Sequence, residues 1–498
     1  MPRKLRRMLM VKDELVWERM DEEIEEWELS VHKAEIYNGV AALIKKYRPG
    51  EAVELHMPIK GGYNALYRLE YKDGTSAAMR VPCKGFVKFP EEKVRYEVAT
   101  MRYIAANTTI PVPKIYGWGT ADENPTGLGP FMIMEYIDHE RTLSEALKDR
   151  SLEADDPHIL DPNIAEPKLE FLYGQMANIL LQLSTLTFPR IGSLDQDADG
   201  QISVSGRPLT MNMNNVVEFT NNIPLSVLPT QPQSYSTATE WYSASADMHL
   251  TQLTFQHNDV FRDEEDMRDK YVARQLFRRL AREGRLTSPI DTDEPPQFRI
   301  FSEDLRPSNV LVDANDRVVS VIDWEFAYAA PAQFAFDPPW WLLLTSADYW
   351  IGGYEPFVEA YEPRLETFLR VLEAEEAKMR EGADAGVAGA MEVLALEGGQ
   401  SVTLSQRMRT SWEDRTWMIS LAARDSWAFD FVFWRYLDRR FFGESEDWDH
   451  HERLHLLTER ERKAMESFVA IKAEEDKDHI LVDWDEERAA ARLAEVMV

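Results

Sequence analysis

The chain has 498 residues, 44% of them hydrophobic and 14 of them Trp, which excludes a disordered chain and leaves room for two to three domains' worth of core. With 56 basic and 87 acidic residues the formal net charge is −31, an excess that argues against a general nucleic-acid or anionic-membrane binder. The single cysteine, Cys83, excludes an internal disulfide framework, fits a reducing compartment and reads as a small apolar filler.

The first seven residues, MPRKLRR, are basic, and no apolar signal-peptide core follows, so no secretory leader is expected. No stretch is long and apolar enough to predict a membrane span, and the expected location is cytoplasmic. From 12 to 47, Trp17, Met20, Ile24 and Trp27 and then Tyr37, Val40, Leu43 and Ile44 recur at three- and four-residue steps. That period predicts a helical extension ending at Arg48-Pro49-Gly50.

Residues 51–140 read as a small β-rich lobe. Leu66 to Tyr71 alternates like a strand, Lys72-Asp73-Gly74-Thr75 is a hairpin turn, and Ala77 to Val81 is the return strand. The turn before them, Lys60-Gly61-Gly62-Tyr63-Asn64, can offer N–H groups to anionic oxygens. It lacks a full G-x-G-x-x-G, and an ordinary hairpin turn explains it equally well. Glu91 to Ala105 is a helix pattern with Glu97 beside Val94, Val98 and Met101, and Glu92 as its rival for a role on that face. Phe131 to Ile137 is a buried-type strand.

A long helix is predicted over 167–187, with Leu169, Leu172, Met176, Ile179, Leu180 and Leu183 as a core stripe. The polar stretch 196–240 reads as an excursion with room for a substrate-facing loop. Helices follow over Ala244–Leu253 and Asp263–Glu283, the latter with acids first and bases last, as the helix dipole favours.

The richest stretch is Phe301 to Phe326. Asp304 and Asn309 stand at the D-x-x-x-x-N spacing of a kinase catalytic loop, where the acid handles the acceptor hydroxyl and the amide holds magnesium. Val310–Val312 and Val318–Ile322 form the arms of a predicted β-hairpin around Ala314-Asn315-Asp316. Antiparallel arms return Asn309 and Asp323 to one edge, two oxygen ligands for one hard cation. Capped turns are the plainer reading of Asp304 and Asn309 taken singly.

Beyond it, 354–380 is a predicted helix, 383–400 a Gly- and Ala-bearing link, and Trp412–Phe442 an aromatic-rich helical stretch. In the tail, His451-Glu452-Arg453-Leu454-His455 is an H-E-x-x-H, which on an α-helix sets two imidazoles one turn apart for zinc.

The run Ser302-Glu303-Asp304-Leu305-Arg306-Pro307-Ser308-Asn309, followed by Ile322-Asp323-Trp324-Glu325, resembles the aminoglycoside phosphotransferase and choline kinase-like family, nearest to its fungal phosphotransferase-like group. That family writes H-G-D-L-x-P-x-N and then I-D-W-E; here Ser302 and Glu303 stand in place of the His and Gly. The resemblance implies an α+β, protein-kinase-like, two-lobed fold with a small β-rich N-lobe and a larger, mainly helical C-lobe. It implies an ATP- and Mg2+-dependent kinase acting on a hydroxyl of a small molecule, with Asp304 and Arg306 catalytic and Asn309 and Asp323 on the metal. Gly61, Gly62, Arg80 (where kinases place a Lys) and Glu97 would serve the phosphates. The backbone around Glu135 and Ile137 would hold the adenine. The expected divisions are a helical extension (1–50), the N-lobe (51–140), the C-lobe (141–445) and a charged helical tail (446–498). Two other readings stand beside it: a pseudokinase-type binding or scaffold protein, motivated by Ser302, Glu303 and Arg80, and a zinc hydrolase using the HERLH segment.

Overall fold

The computed structural model describes residues 13–153, 156–220, 223–288, 297–382 and 402–498. The predicted link over 383–400 lies outside them.

The extension forms helices α1 (Glu14–Val31) and α2 (Ala34–Tyr47). Asp13 caps α1 by accepting the Val16 N–H at 3.1 Å. The N-lobe sheet contains β1 (Ala52–Leu55), β2 (Ile59–Lys60), β3 (Asn64–Tyr71), β4 (Ser76–Pro82), β5 (Ile115–Gly119) and β6 (Phe131–Glu135), antiparallel in the order β1-β3-β4-β6-β5 with β2 pairing β3. Helix α3 (Pro90–Asn107) follows β4. At the β3–β4 turn Gly74 adopts φ +81°, a left-handed position that favours glycine.

All seven residues of β4 are buried, and the two-residue period explains how. Ala77, Met79 and Val81 share a core with Trp27, Val31, Val40, Leu43 and Ile44 of the extension, where Cys83 is also buried. Ala78, Met132 and Met134 share the other core with Val94, Val98 and Met101 of α3. The extension thus covers one face of the sheet, and Arg80 falls on the opposite face, toward the lower lobe. Helix α1 also reaches that lobe, where Trp17, Met20 and Ile24 pack with Phe219.

The C-lobe begins with β7 (Arg141–Thr142), α4 (Leu143–Leu147) and α5 (Glu166–Ser184). The described part of the excursion carries a hairpin and a helix: β8 (Thr187–Phe188) leads to the hairpin of β9 (Ser193–Gln196) and β10 (Ile202–Gly206), then to α6 (Met211–Phe219). Helices α7 (Ala238–Phe255) and α8 (Glu264–Arg282) pack on each other, as do α5 and α9 (Tyr354–Gly382). Between α8 and α9 lie β11 (Phe298–Ser302), β12 (Val310–Val312), β13 (Val318–Val321) and β14 (Ala327–Ala330). The architecture is the two-lobed, α+β protein-kinase-like fold that the resemblance implies. The tail helices Glu459–Asp478 and Glu486–Val496 bury Met465, Phe468, Val469, Leu493 and Val496 in the C-lobe core. No described helix is long and apolar enough to cross a membrane.

Candidate active site

The cleft is built on the return of the β12–β13 hairpin. Val310 pairs with Val321, and the Ile322 N–H donates to the Asn309 carbonyl at 2.9 Å, which brings Asn309 beside Asp323. Pro307 to Asn309 form one 3-10 turn. The Asn309 amide donates to the Asp304 carbonyl at 2.8 Å and to its Oδ2 at 3.0 Å. The other carboxylate oxygen of Asp304 lies 2.9 Å from Arg306 Nε. Burial pushes the Asp304 carboxyl above its ordinary range, against the pull of Arg306 and Asn309. Arg306 meets Asp304 as an ion pair, without hydrogen-bond geometry at its Nε.

Asp323 and Phe326 both adopt left-handed backbone, at φ +67° and +57°. For a bulky ring that conformation costs about 1–2 kcal/mol, and strain of this kind collects at functional segments. The two reversals bracket Trp324 and Glu325. The Trp324 ring is buried and donates to the Val321 carbonyl at 3.1 Å. The Glu325 carboxylate turns to the N-lobe.

There the charges converge. Arg80 is ion-paired with Glu97 and with Asp323. Its Nη2 also lies 3.1 Å from Glu325 Oε2. Glu325 is buried, is paired with Lys93 and accepts from the Asn64 amide at 2.9 Å. Lys93 donates to Asn64 Oδ1 at 2.6 Å. Burial alone would raise the Glu325 carboxyl, but Lys93 and Arg80 outweigh it and hold the carboxyl below its usual range. Glu92, the rival to Glu97, points elsewhere and takes a two-point pair from Arg207, at 2.8 and 2.6 Å.

Lys93 and Glu325 were not singled out as site residues from the sequence. A signal existed for Lys93: it precedes Glu97 by four residues and so shares its helix face. Glu325 lies in the turn beyond β13, where no regular period points to its partner.

The remaining candidates sit around this centre. Gly61 and Gly62 are exposed in the β2–β3 turn, and the Gly61 N–H is spent on the Asn64 carbonyl at 2.8 Å. Tyr63 reaches over the cleft, its ring 5.5 Å from that of Phe326. At the lobe junction the Glu135 N–H donates to the Lys114 carbonyl at 2.8 Å, and the Ile137 carbonyl lies 2.9 Å from His139 Nδ1.

Glu303 carries less weight for the pseudokinase reading than its place in the motif suggests, because it is turned to α6. Its carboxylate accepts the Met211 N–H at 2.6 Å, in the first turn of α6. Burial pushes this carboxyl up to about 7, with Arg424 and Met211 opposing. The HERLH segment is corrected: His451–Leu456 is a 3-10 helix. At three residues per turn, positions four apart are rotated by about 120° and do not share a face.

The donor set at the cleft fits a hard divalent cation. With its amide nitrogen spent on Asp304, Asn309 keeps a carbonyl oxygen, and with Oδ1 on Arg80, Asp323 keeps Oδ2.

Over 141 residues the chain is 30% identical to a subtelomeric hrmA-associated cluster protein of Aspergillus fumigatus, covering 28% of this chain and 24% of that protein. Over 137 residues it is 26% identical to the Debaryomyces hansenii altered inheritance of mitochondria protein 9, mitochondrial, covering 27% of this chain and 20% of that protein. The matched stretch thus spans about a quarter or less of these curated relatives' length. The solved Plasmodium vivax ethanolamine kinase is similar with a TM-score of 0.35 and 12% identity, over 86% of this chain and 82% of that one. The model of the APH phosphotransferase enzyme family matches residues 56–373, from the segment before β2 into α9. That span is well over half of the chain and contains every charged residue of the cleft described above: the chain belongs to the APH phosphotransferase enzyme family.

Proposed function

We propose that this protein is a magnesium-dependent kinase that transfers the γ-phosphoryl of ATP to a hydroxyl of a small molecule. One observation carries the reading: Asp304, Asn309 and Asp323 meet at one cleft, facing an Arg80–Glu97 pair from the other lobe. Residues 51–140 then serve the nucleotide and 141–445 the acceptor, with 1–50 and 446–498 as flanking supports.

Asp304 orients the acceptor hydroxyl and takes its proton as the oxygen bonds the γ-phosphorus and the bond to the β-phosphate oxygen breaks, releasing ADP. Its raised pKa makes it a better proton acceptor than an exposed carboxylate. Asn309 fixes the Asp304 rotamer, and Asn309 and Asp323 hold the magnesium ion, which when bound neutralises charge on the phosphate oxygens. Arg80, steadied by Glu97, adds a fixed positive charge on the phosphate side. Gly61 and Gly62 cover the phosphates, and the backbone around Glu135 and Ile137 takes the adenine. Catalysis of this kind is positioning and electrostatics.

The test is ADP release from MgATP across a panel of amino alcohols, aminoglycosides and sugars. The proposal expects acceptor-dependent release that falls at least a hundredfold in Asp304→Asn while ATP binding persists. A rival reading, a nucleotide-binding module without turnover, draws on the three carboxylates around Arg80. ATP binding with no ADP release on any acceptor would favour it.

A further inference from the structure

The tail meets α8 at a cluster that the cleft does not use. Glu265 and Asp269 stand one turn apart near the start of α8, and His450 and His451 open the 3-10 helix of the tail. His450 is 2% exposed, and its Nδ1 lies 2.7 Å from Asp269 Oδ1. A ring nitrogen that close to a carboxylate carries the proton, so the lone pair of the neutral ring sits on Nε2. That Nε2 is 3.7 Å from Glu265 Oε2.

His451 faces the same carboxylate without a hydrogen bond at its outer nitrogen. Its Nδ1 lies 3.6 Å from Asp449 Oδ1, and its Nε2 lies 3.6 Å from the same Glu265 oxygen. The other Glu265 oxygen accepts from Arg268 Nη1 at 2.8 Å, which fixes the carboxylate. The three facing atoms all lie within 4.8 Å of one another.

We propose that Glu265, His450 and His451 bind a divalent transition-metal ion of the zinc type, with Asp269 orienting the His450 imidazole. Two imidazoles and one carboxylate suit zinc, whereas magnesium and calcium take oxygen ligands. A tetrahedral ion with bonds of about 2.0–2.1 Å separates its ligand atoms by about 3.3 Å. The 3.6 and 3.7 Å separations from Glu265 need only a slight closure to reach that, and the two imidazoles, within 4.8 Å of each other, close on the ion by rotation of the exposed His451 ring. A carboxylate behind the outer ring nitrogen, as Asp269 stands behind His450, is the usual support of a metal-binding imidazole, since it fixes the tautomer and raises ligand basicity. Water completes the coordination, because Glu265 and His451 are exposed. The ion ties the tail to the C-lobe. The motif that pointed here contributes only its first histidine, and His455 has no part.

The experiment titrates tag-free, chelator-stripped full-length protein with zinc chloride alone, by calorimetry and by thermal unfolding. The expected result is one equivalent per chain and a raised melting temperature. Affinity falls at least tenfold in His451→Ala and in Glu265→Gln, both exposed positions that spare the fold, and is unchanged in His455→Ala. Cobalt in place of zinc gives the visible absorption of a four-coordinate site. Absence of a one-equivalent site, equal affinity in His451→Ala and parent, or a matching loss in His455→Ala overturns the proposal.

Discussion

Arg80 on β4 and Asp323 beyond β13 are ion-paired across the cleft, although 243 residues separate them in sequence. The same guanidinium serves Glu97 and Glu325, so one cation holds three carboxylates and joins the two lobes. Removing one partner of a buried ion pair leaves charge without compensation and costs roughly 3–5 kcal/mol. Arg80→Ala is expected to lose about that much in urea unfolding. Arg80→Lys is expected to lose less but still to weaken ATP binding, because an ammonium lacks the planar fork that reaches several carboxylates. An Arg80→Ala protein as stable as the parent would show that the network carries no such role.

The acidic limb of the pH–rate profile reports Asp304. Burial raises its carboxyl, so protonation, which removes the base, sets in above the ordinary aspartate value of about 3.9. Activity therefore falls as pH drops through that raised value. Asp304→Asn is expected to lose roughly 10²–10⁴-fold in kcat and the limb with it. An unchanged limb in the mutant's residual activity would assign it to another group.

Glu303 gives stability a dependence of the opposite kind to that of an ordinary acid. Its folded carboxyl is raised from 4.5 to about 7, so the folded state holds the proton more tightly than the unfolded chain. The contribution is fully present below the unfolded value and is lost as pH rises through about 7. At about 1.4 kcal/mol per pKa unit, the swing is roughly 3 kcal/mol. Glu303→Gln keeps an acceptor for the Met211 N–H and drops the charge. It is expected to melt higher than the parent at pH 8 and equally at pH 5, by calorimetry. A parent and mutant that differ equally at both values would contradict the assignment.

Helix α1 supports both lobes through Ile24, which is fully buried and lies against Gly85. Truncating a buried Ile costs about 2–5 kcal/mol, so Ile24→Ala should lower stability by that order in urea unfolding. Gly85→Ala should also destabilise, because the residue holds φ +94° and its added carbon would stand 2.8 Å from Ile24 Cγ1. A full-stability Gly85→Ala would mean that α1 packs loosely there.

The local parts of this account were legible in the sequence. Asp304, Asn309 and the hairpin lie within one short stretch, so spacing alone brings them together. The α1 and α3 faces follow from a helical period. Lys93 and Glu325 are not legible as a pair, because they lie far apart in sequence and their ion pair, with Asn64 touching both, exists only once the lobes are packed. The direction of the Glu303 side chain is not legible, because spacing says nothing of which way a side chain leaves a strand's end. The HERLH segment was a helix only in pattern: the chain takes a tighter turn, and His450, just outside the motif, is the imidazole that packs against α8.

The central claim is a magnesium-dependent nucleotide site that needs Asp323. Asp323→Asn suits the test, since Asn tolerates the left-handed backbone there while removing the charge. Thermal unfolding of parent and mutant, each with and without MgATP, reads the site directly. A ligand at about 100 times its dissociation constant adds roughly 2.7 kcal/mol. A magnesium-dependent rise in melting temperature is expected for the parent and is lost in Asp323→Asn. No shift in the parent at millimolar MgATP, or an equal shift in both proteins, would contradict it.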